Sequence, residues 1–554
     1  MRVGLNILHF TLLVMLTGVV TLGMTLFFAL QGSLPQREGI AIVENLEQKV
    51  DIRRDAAGMP SIESTDRESV LFGLGFVHAQ DQFLTMDLLR RASVGRLSEL
   101  LGLRARAADQ QRLYYGLEAV TQQLWQQATA TEKAMLTAYS EGVNAGLRQQ
   151  SQPPLFYKLR SFQPQPWQPE DALRVLLSFL TLPHEPELLT ALMNDPTKQT
   201  SDPDMGSVPH QSTLNNTPLT LTRTLTQTPD GFQLSILSTS RLPILEPWYS
   251  IRWRTFAQSP WAQGITLPGL PMLLMGRHDQ MAWALNAAPE PPFQWLRLAV
   301  KDEQFWHPEW GWTDFEYQTH TRSEDASAPV FRQTPWGPVL GSDDQGDWLV
   351  LSWPGLSAQN LSLAWLQLDQ LHAAEALLKQ MPTLAGAEWV AIDHHGSWAL
   401  SYLLAPVQHI QNVHPEHPLT HPLGVPRHAV LQASRLEQPV SLDAGNSAPA
   451  NTATEQQHPP NTQPAPWLGT IEALATPALW QHPLMPTAAS LPATQDELAA
   501  FELTLTLAQA NIDWVAGQRR QSWHPLQPYA LQPTHPQALS PGPTRFQLTL
   551  IPGR

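Results

Sequence analysis

The sequence predicts an α+β protein, because helix-like and strand-like segments occupy different parts of the chain. Residues 62–150 contain few prolines, and their apolar side chains recur at helical spacing, most clearly in residues 68–102. Residues 40–52 alternate between apolar and polar side chains, which is typical of one or two strands. Residues 232–289 have the pattern of several short strands. We expect the helical and the β-rich parts to pack into one body.

Composition limits the classes of function. A length of 554 residues allows one large domain or two. The net charge of −15 argues against a nucleic-acid partner. The chain has no cysteine, so disulfides and thiolate metal sites are excluded. The 50 prolines indicate many loops outside the core segments.

The N-terminal segment predicts a membrane anchor. Ile7 to Leu30 carry no formal charge, and 24 residues at about 1.5 Å per residue exceed a hydrocarbon core of roughly 30 Å. Arg2 precedes this segment, which favours a cytoplasmic N-terminus. A cleaved signal peptide is the alternative, but its apolar region is usually shorter, so we prefer an uncleaved single-pass anchor in the inner (cytoplasmic) membrane with the main body in the periplasm.

The chain divides into five predicted regions. They are a cytoplasmic start and transmembrane anchor at 1–36, a mainly helical region at 37–194, a polar linker at 195–230, a β-rich region at 231–515 and a Pro-rich tail at 516–554. Within the β-rich region we expect a low-complexity loop at 441–466 and one more helix at 493–512.

The most informative stretch lies in the first helical segment. His78 and Asp81 are three residues apart, so they share a helix face, and Asp87, Arg90 and Arg91 follow on the next turns. The general interpretation is a buried helix pair held by a few ion pairs. The order of residues in the stretch is more specific. Residues 75–91 read GFVHAQDQFLTMDLLRR, and residues 50–62, upstream, read VDIRRDAAGMPSI.

These two motifs resemble the N-terminal signature of the penicillin acylase (penicillin amidase) family. That signature reads roughly G-Y-V-H-A-Q-D-R-L-W-Q-M-E-L-x-R-R, after a strand and turn V-x-V-x-R-D-x-x-G-V-P-H-I. Ser61 stands where the upstream motif usually has His. Further matches follow in the family's order at residues 267–287, 334–339 and 389–396. The resemblance runs with gaps from about residue 40 to about residue 510, and family members usually continue for roughly another two hundred residues.

The resemblance implies a fold and a reaction. The family belongs to the N-terminal-nucleophile hydrolases, so we expect a four-layer αββα core. In that superfamily a precursor cuts itself before a Ser, and the freed α-amine serves as the base for the new N-terminal hydroxyl. The implied activity is hydrolysis of linear amide C–N bonds, with removal of acyl groups from substrates such as β-lactam side chains or acyl-homoserine lactones.

The nucleophile position departs from the family pattern. The family's second chain begins G-S-N-x-W, with R-T some ten residues on, and the best ungapped match starts at Leu214, which has no hydroxyl. Alternatives that need an insertion or a shift of one or two residues are Ser207, Ser212 and Thr213. Of these, Ser207 and Thr213 are the weak candidates for a catalytic nucleophile.

Other family positions depart as well. Glu388 stands where the resemblance places the oxyanion-hole Asn, and a carboxylate there repels a developing oxyanion. The family's calcium carboxylates correspond to Pro291 and Gln294, so we expect no metal and no other cofactor. Ala287 matches the residue whose backbone N–H completes the oxyanion hole, which makes it the remaining candidate.

The sequence also contains clusters of histidine and of tryptophan. His394 and His395 lie in a predicted turn, and four further histidines lie in a Pro-rich loop: His409, His414, His417 and His421. Solvated histidines are the better interpretation of both groups than a metal site. Three tryptophans within FWHPEWGW suggest core packing or loop anchoring more than an apolar or sugar-like pocket: Trp306, Trp310 and Trp312.

Two functions from different classes remain open. By resemblance the chain is a linear-amide hydrolase acting on a small-molecule amide. By the residue chemistry at Leu214 and Glu388 it has lost activity and serves as a binding or scaffold protein, tethered to the membrane through residues 7–30. The segment 206–218 discriminates between them, because a catalyst needs a hydroxyl residue there that becomes a chain terminus.

Overall fold

The structure is a computed structural model of the full chain. It describes residues 35–55, 58–113, 115–150, 152–181, 221–228, 231–239, 249–256, 259–287, 294–319, 330–342, 347–352, 363–380, 387–404, 410–415, 427–435, 440–443, 500–506, 512–516 and 546–552, and short pieces between 13 and 24.

Helices dominate the first third of the described chain. They are α1 (Arg67–Ser93), α2 (Ser98–Leu101), α3 (Arg106–Leu113), α4 (Leu117–Gln127), α5 (Ala130–Arg148), α6 (Leu155–Arg160), α7 (Pro169–Thr181) and, much later, α8 (Ala374–Gln380). Two 3₁₀ helices occupy Leu103–Ala105 and Leu363–Gln370. The prediction of one or two helices over residues 68–102 is confirmed, with a kink in α1 at Gln82.

The strands fall into four sheets. They are β1 (Gly39–Val43), β2 (Val50–Arg54), β3 (Pro60–Glu63), β4 (Leu221–Thr228), β5 (Gly231–Thr239), β6 (Tyr249–Arg254), β7 (Ala262–Thr266), β8 (Met275–Arg277), β9 (Met281–Ala287), β10 (Gln294–Leu298), β11 (Val300–Lys301), β12 (Gln304–His307), β13 (Gly311–Asp314), β14 (Glu316–Thr319), β15 (Val330–Thr334), β16 (Gly337–Ser342), β17 (Trp348–Ser352), β18 (Ala387–Asp393), β19 (Ser397–Leu404), β20 (Ile410–Val413), β21 (Arg427–Arg435), β22 (Val440–Asp443), β23 (Ala500–Thr506), β24 (Ile512–Ala516) and β25 (Phe546–Pro552). The prediction of mixed α and β structure is therefore confirmed.

The largest sheet organises the molecule. Its eleven strands run in the order β1-β25-β2-β3-β6-β7-β8-β9-β18-β19-β21. Helix α1 packs on it at β2 and β3, and α8 packs at β18 and β19. The buried side chains of these helices and strands form one continuous apolar core. Three smaller sheets have six, three and five strands.

The five-stranded sheet lies against the large one. Its order is β22-β4-β5-β23-β24, and β5 contacts β18 of the large sheet. Two of its strands correct the expected helix at 493–512, since residues 500–506 and residue 512 belong to strands. The segment Ala500–Thr506 alternates apolar and polar residues, and this period of two, completed by pairing with β5, overrides its helix-like composition.

The C-terminal region also differs from expectation. The sequence suggested a Pro-rich tail over 516–554, but residues 546–552 form β25. This strand lies between β1 and β2, parallel to the first and antiparallel to the second. Leu548 and Leu550 are buried while Gln547 is exposed, so the strand has the alternation of a sheet with one covered face.

The core of the helical layer is a close crossing of α1 and α5. A Cβ at Gly75 would meet the carbonyl oxygen of Tyr139, and a Cβ at Gly142 would meet the carbonyl oxygen of Phe72. Only glycine fits at these two points, because the backbones themselves are in contact. The two helices therefore sit closer together than helices separated by larger side chains.

A network of buried charges joins α1 to its neighbours. Asp87 Oδ1 accepts from Arg90 Nε at 2.7 Å and from Arg91 Nε at 2.8 Å, and Asp87 Oδ2 accepts from the Tyr157 hydroxyl at 2.5 Å. Arg90 also donates to Asp171 of α7. The ion pairs predicted for Asp87, Arg90 and Arg91 are thus confirmed.

The predicted anchor is described only in fragments. Within residues 13–24 the described residues are helical, and their side chains are exposed, including those of Leu13, Met15 and Val20. Among the described residues, no helix combines the length and the apolar character that a membrane span requires.

Two clusters from the sequence analysis take different forms. His394 and His395 lie in the turn between β18 and β19, with ring centroids 3.7 Å apart. Across the described part of the chain, no three His, Asp or Glu side chains meet in a group suited to a metal ion. His414 follows β20, whereas His409, His417 and His421 lie outside the described residues.

The three tryptophans predicted to pack or anchor a loop lie on a small β-hairpin. Trp306 and Trp312 face each other across β12 and β13 in a T-shaped contact at 5.5 Å. Trp310 is 62 % exposed and stacks on His307 at 3.8 Å, and the other partner of His307 is Trp336 at 4.9 Å. The tryptophans therefore hold the hairpin through ring contacts with one another and with His307.

Candidate functional site

The signature stretch places a buried histidine at the junction of α1, α5 and β7. His78 is fully buried, with Nδ1 2.8 Å from the Tyr139 hydroxyl and Nε2 2.9 Å from Thr266 Oγ1. Burial lowers the pKa of His78 from its ordinary value of 6.5 to about 3, so the ring is neutral. A neutral imidazole has one donor and one acceptor, and both are used here.

The neighbours of His78 fix its tautomer. The Gly269 N–H donates to the Tyr139 oxygen at 3.0 Å, which leaves the Tyr139 O–H to donate to His78 Nδ1. On the other side, Thr266 Oγ1 donates to the Tyr249 carbonyl at 3.3 Å, so Thr266 accepts from His78 Nε2–H. All the donors in this series of hydrogen bonds point in the same direction. The series joins α1 to the loop that begins at Leu267.

Asp81 continues the same contact region one turn along α1. Its Oδ2 accepts from the Tyr249 hydroxyl at 2.6 Å and from Arg54 Nη1 at 2.7 Å. The Tyr249 ring also packs edge-on against His78, with centroids 5.0 Å apart. Burial alone would lower the pKa of Arg54, but Asp81 and Tyr249 raise it above its ordinary value. The prediction that His78 and Asp81 share a face is therefore confirmed, with Tyr249 contacting both.

The two expected oxyanion positions are brought together by strand pairing. Ala287 ends β9 and is opposite Ala387, which begins β18. Asn286 is opposite Glu388 in the same ladder, so the backbones of Ala287 and Glu388 are diagonal neighbours. Glu388 is also opposite Tyr402 of β19. The backbone thus assembles the two positions that the resemblance assigns to oxyanion binding.

The nucleophile candidates cannot be placed in this way. Ser207, Ser212, Thr213 and Leu214 all lie outside the described residues, as does Pro291. The described chain resumes at β4, which pairs with β5, and β5 in turn contacts β18. The segment that precedes β4 therefore leads into the sheet that faces the strand of Glu388.

A comparison with protein families gives the decisive observation. The family model described as Penicillin amidase matches residues 49–224 and 241–412, which together make up more than half of the chain. The chain belongs to the penicillin amidase family. The match includes the signature stretch, the segment 206–218 and the paired strands β9 and β18.

Individual relatives match shorter parts of the chain. Penicillin acylase 2 proenzyme from Pseudomonas sp. (strain SE83) is 37 % identical over 148 residues, which is 27 % of this chain and 19 % of that protein. Acyl-homoserine lactone acylase QuiP from Pseudomonas fluorescens (strain Pf0-1) is 29 % identical over 299 residues, 46 % of this chain and 36 % of that protein. This member of the penicillin amidase family thus aligns with about a third or less of the length of these relatives.

Among solved structures, a thermostable penicillin G acylase from Alcaligenes faecalis is similar at 17 % identity. The similarity covers 42 % of this chain and 45 % of that chain, with a TM-score of 0.30. For this penicillin amidase family member, the family assignment therefore comes from the sequence match.

Sequence reasoning missed the partners of the signature residues. His78 depends on Tyr139 and Thr266, and Asp81 depends on Tyr249, all of which are distant in sequence. Thr266 directly precedes the L-P-G motif, and this adjacency was the available signal. His78 donates to Thr266 of β7 and Asp81 accepts from Tyr249 of β6, so both side chains join α1 to the large sheet.

Proposed function

We propose that this protein carries the function of its family as a hydrolase of linear amide C–N bonds. The match to the penicillin amidase model over most of the chain's described core supports this assignment. The relatives are named as acylases of penicillins and of acyl-homoserine lactones, so the proposed substrate is a small N-acyl amide. The proposed core is the four-layer αββα arrangement of N-terminal-nucleophile hydrolases.

In the proposed reaction, a hydroxyl residue within 206–218 becomes the first residue of a second chain. Its α-amine takes the hydroxyl proton, the oxygen attacks the amide carbonyl, and the leaving amine receives the proton. The backbone N–H of Ala287 donates to the oxyanion. Water then releases the acyl group by the same route. Ser207 and Thr213 are the proposed nucleophiles.

A second function is favoured by two residues at this site. Leu214 occupies the ungapped nucleophile position and offers no hydroxyl. Glu388 pairs with Asn286, the residue before Ala287, and a carboxylate at the position that the resemblance gives to the oxyanion-hole Asn opposes the charge that an oxyanion develops. The second proposal is therefore a protein that binds amide ligands or partners on this fold without cleaving them.

Three further proposals concern the metal requirement and the location of the protein. The protein works without calcium, because Gln294 begins β10 with an uncharged amide and Pro291 has no side-chain oxygen. Residues 7–30 anchor it in the inner membrane, and the exposed apolar side chains between Leu13 and Met24 support this placement. The main body then lies in the periplasm.

Gel electrophoresis under denaturing conditions, with N-terminal sequencing of every band, separates the two functions. A hydrolase gives two chains, the second beginning at Ser207, Ser212 or Thr213. Substitution of that residue by Ala leaves a single chain, while the same change at a neighbouring hydroxyl does not. One uncut chain of about 62 kDa, with no release of acyl groups from penicillin G or an acyl-homoserine lactone, establishes the non-catalytic function instead.

A further inference from the structure

One face of the large sheet carries more positive charge than its own carboxylates neutralise. Residues of β2, β3 and β6 form two cross-strand triplets on the side away from α1. In one triplet Glu63 lies between Asp51 and Arg254, and in the other Ser61 lies between Arg53 and Arg252. The middle residue is thus a carboxylate in one triplet and a neutral hydroxyl in the next.

Glu63 is already engaged by two arginines. Arg254 Nη2 donates to both of its oxygens at 3.0 Å, and Arg53 Nη1 reaches it at 3.4 Å. Asp51 pairs with Lys49 at 2.9 Å. Asp51 and Glu63 are therefore already paired with other cations, and neither forms an ion pair with Arg252, the remaining charged residue of the two triplets.

The Arg252 side chain is held in place, but only some of its N–H donors have an acceptor. Its Nε donates to Ser61 Oγ at 2.6 Å, and its guanidinium lies 4.2 Å from the ring centroid of Trp261. The Arg254 guanidinium lies over the same ring at 4.5 Å. Among the described residues, no carboxylate lies within ion-pair distance of Arg252, so its two Nη groups are directed donors without an anionic acceptor.

The electrostatic surroundings agree with this geometry. Burial lowers the pKa of Arg252 below its ordinary value; Asp55 raises the pKa, and Arg254 and Arg53 lower it further. Asp55 is the carboxylate that raises this pKa, but no ion pair joins it to Arg252 among the described residues, and its Oδ1 accepts from the Met59 N–H at 2.9 Å. An added negative charge above Ser61 would relieve the repulsion among the three arginines.

We propose that Arg252 and Arg53 bind a small oxyanion, a carboxylate or a phosphate, beside Ser61 on the face of β2, β3 and β6 that lies away from α1. The arginines are separated by two strand spacings, roughly 10 Å between their backbones, which is a distance that two long side chains close around one anion. Arg53 is 40 % exposed, so solvent reaches the site. A planar fork of N–H donors is suited to both groups.

The test is arginine labelling of the full chain with phenylglyoxal, read by mass spectrometry. With either sodium acetate or inorganic phosphate present at about ten times its dissociation constant, labelling of Arg252 slows by roughly tenfold, because only the anion-free site reacts. Protection by acetate alone identifies a carboxylate ligand, and protection by phosphate alone identifies a phosphate. Arg332, which pairs with Glu303 elsewhere, serves as the control for general salt effects.

A matched variant tests the mechanism. Ser61→Asp supplies the missing carboxylate from within the chain, so labelling of Arg252 becomes slow and no longer depends on added anion. The proposal is overturned when neither anion protects Arg252 in the native chain, or when both protect Arg332 equally. Because labelling reports binding alone, the result is independent of whether the protein hydrolyses amides.

Discussion

At the scale of single residues, His78 links acidity to the stability of the fold. Its ring is buried and neutral, and it accepts from Tyr139 while donating to Thr266. Protonation would add a charge in a buried site and remove the acceptor that Tyr139 uses. The unfolded chain protonates near pH 6.5, but the folded protein protonates only near pH 3.

The first prediction concerns this pH dependence. The contribution of His78 is fully present above about pH 6.5 and is lost progressively as the pH falls towards 3, because the unfolded state binds the proton first. Between pH 8 and pH 5, His78 lowers the free energy of unfolding by about 2 kcal/mol. Urea denaturation at both pH values should show this loss in the native protein and a smaller loss in His78→Gln.

The control for His78 is His394→Gln, since His394 is exposed in a turn. That variant should keep the pH dependence of the native protein. An equal pH dependence in native protein and His78→Gln would show that His78 is not the responsible group.

The second prediction concerns the buried carboxylate of Asp87. Burial raises its pKa, but Arg90 and Arg91 outweigh burial and hold the pKa below its ordinary value. Asp87→Asn keeps the shape and leaves the arginines short of an anion, so the free energy of unfolding should fall by about 3–5 kcal/mol. Urea denaturation measures the change. The exposed pair Glu303 and Arg332 is the comparison, and Glu303→Gln should cost less than about 1 kcal/mol.

At the scale of secondary-structure elements, the crossing of α1 and α5 tolerates no added atom. Gly142→Ala would place its Cβ against the Phe72 carbonyl, so the helices must separate. The third prediction is a loss of stability of about 1–3 kcal/mol or more, measured by chemical denaturation. Thr131→Ala on the exposed start of α5 should stay within about 0.5 kcal/mol of the native protein. Equal stabilities of the two variants would contradict the close crossing.

The fourth prediction tests β25 as part of the core. Leu550 is fully buried and is opposite Val50 of β2. Leu550→Ala should therefore lower the free energy of unfolding by about 2–5 kcal/mol, as in other buried leucines. Gln547→Ala, on the exposed side of the same strand, should have little effect. Thermal denaturation of both variants measures these changes. Equal melting temperatures of the two variants would show that β25 does not contribute to the core.

At the scale of the whole molecule, the predictable parts are those with local signals. The period of α1 and the spacing of Asp87, Arg90 and Arg91 are visible in sequence, and so are the strands that became β1 and β2. The motifs around Leu267 and Trp389 indicated the family, and the family match confirmed it. The two expected oxyanion positions, Ala287 and Glu388, are diagonal neighbours on the paired strands β9 and β18.

The parts that could not be predicted depend on distant partners. The strand at residues 546–552 is short and surrounded by prolines, and its partners β1 and β2 are about five hundred residues away. The acceptor and donor of His78 lie on α5 and β7, so no local pattern reveals them. Burial and pairing across such distances decide the structure where local propensity is weak.

A fifth prediction concerns metal dependence of the whole protein. Since we propose that the protein works without calcium, incubation with EDTA should leave the melting temperature unchanged, and added calcium should not raise it. Differential scanning fluorimetry with and without the chelator measures this. A drop in melting temperature that calcium reverses would show that another set of oxygen ligands holds the ion.

The position of β25 also determines how long β1 and β2 wait for their partner strand during synthesis of the chain. Residues 50–54 leave the ribosome nearly five hundred residues before the strand that must lie beside them. At about 5–20 residues per second, that interval is roughly 25–100 s. During this time the hydrogen-bonding edges of β1 and β2 remain open to other chains. We therefore expect the growing chain to be vulnerable to mispairing at its first two strands until residues 546–552 have been synthesised.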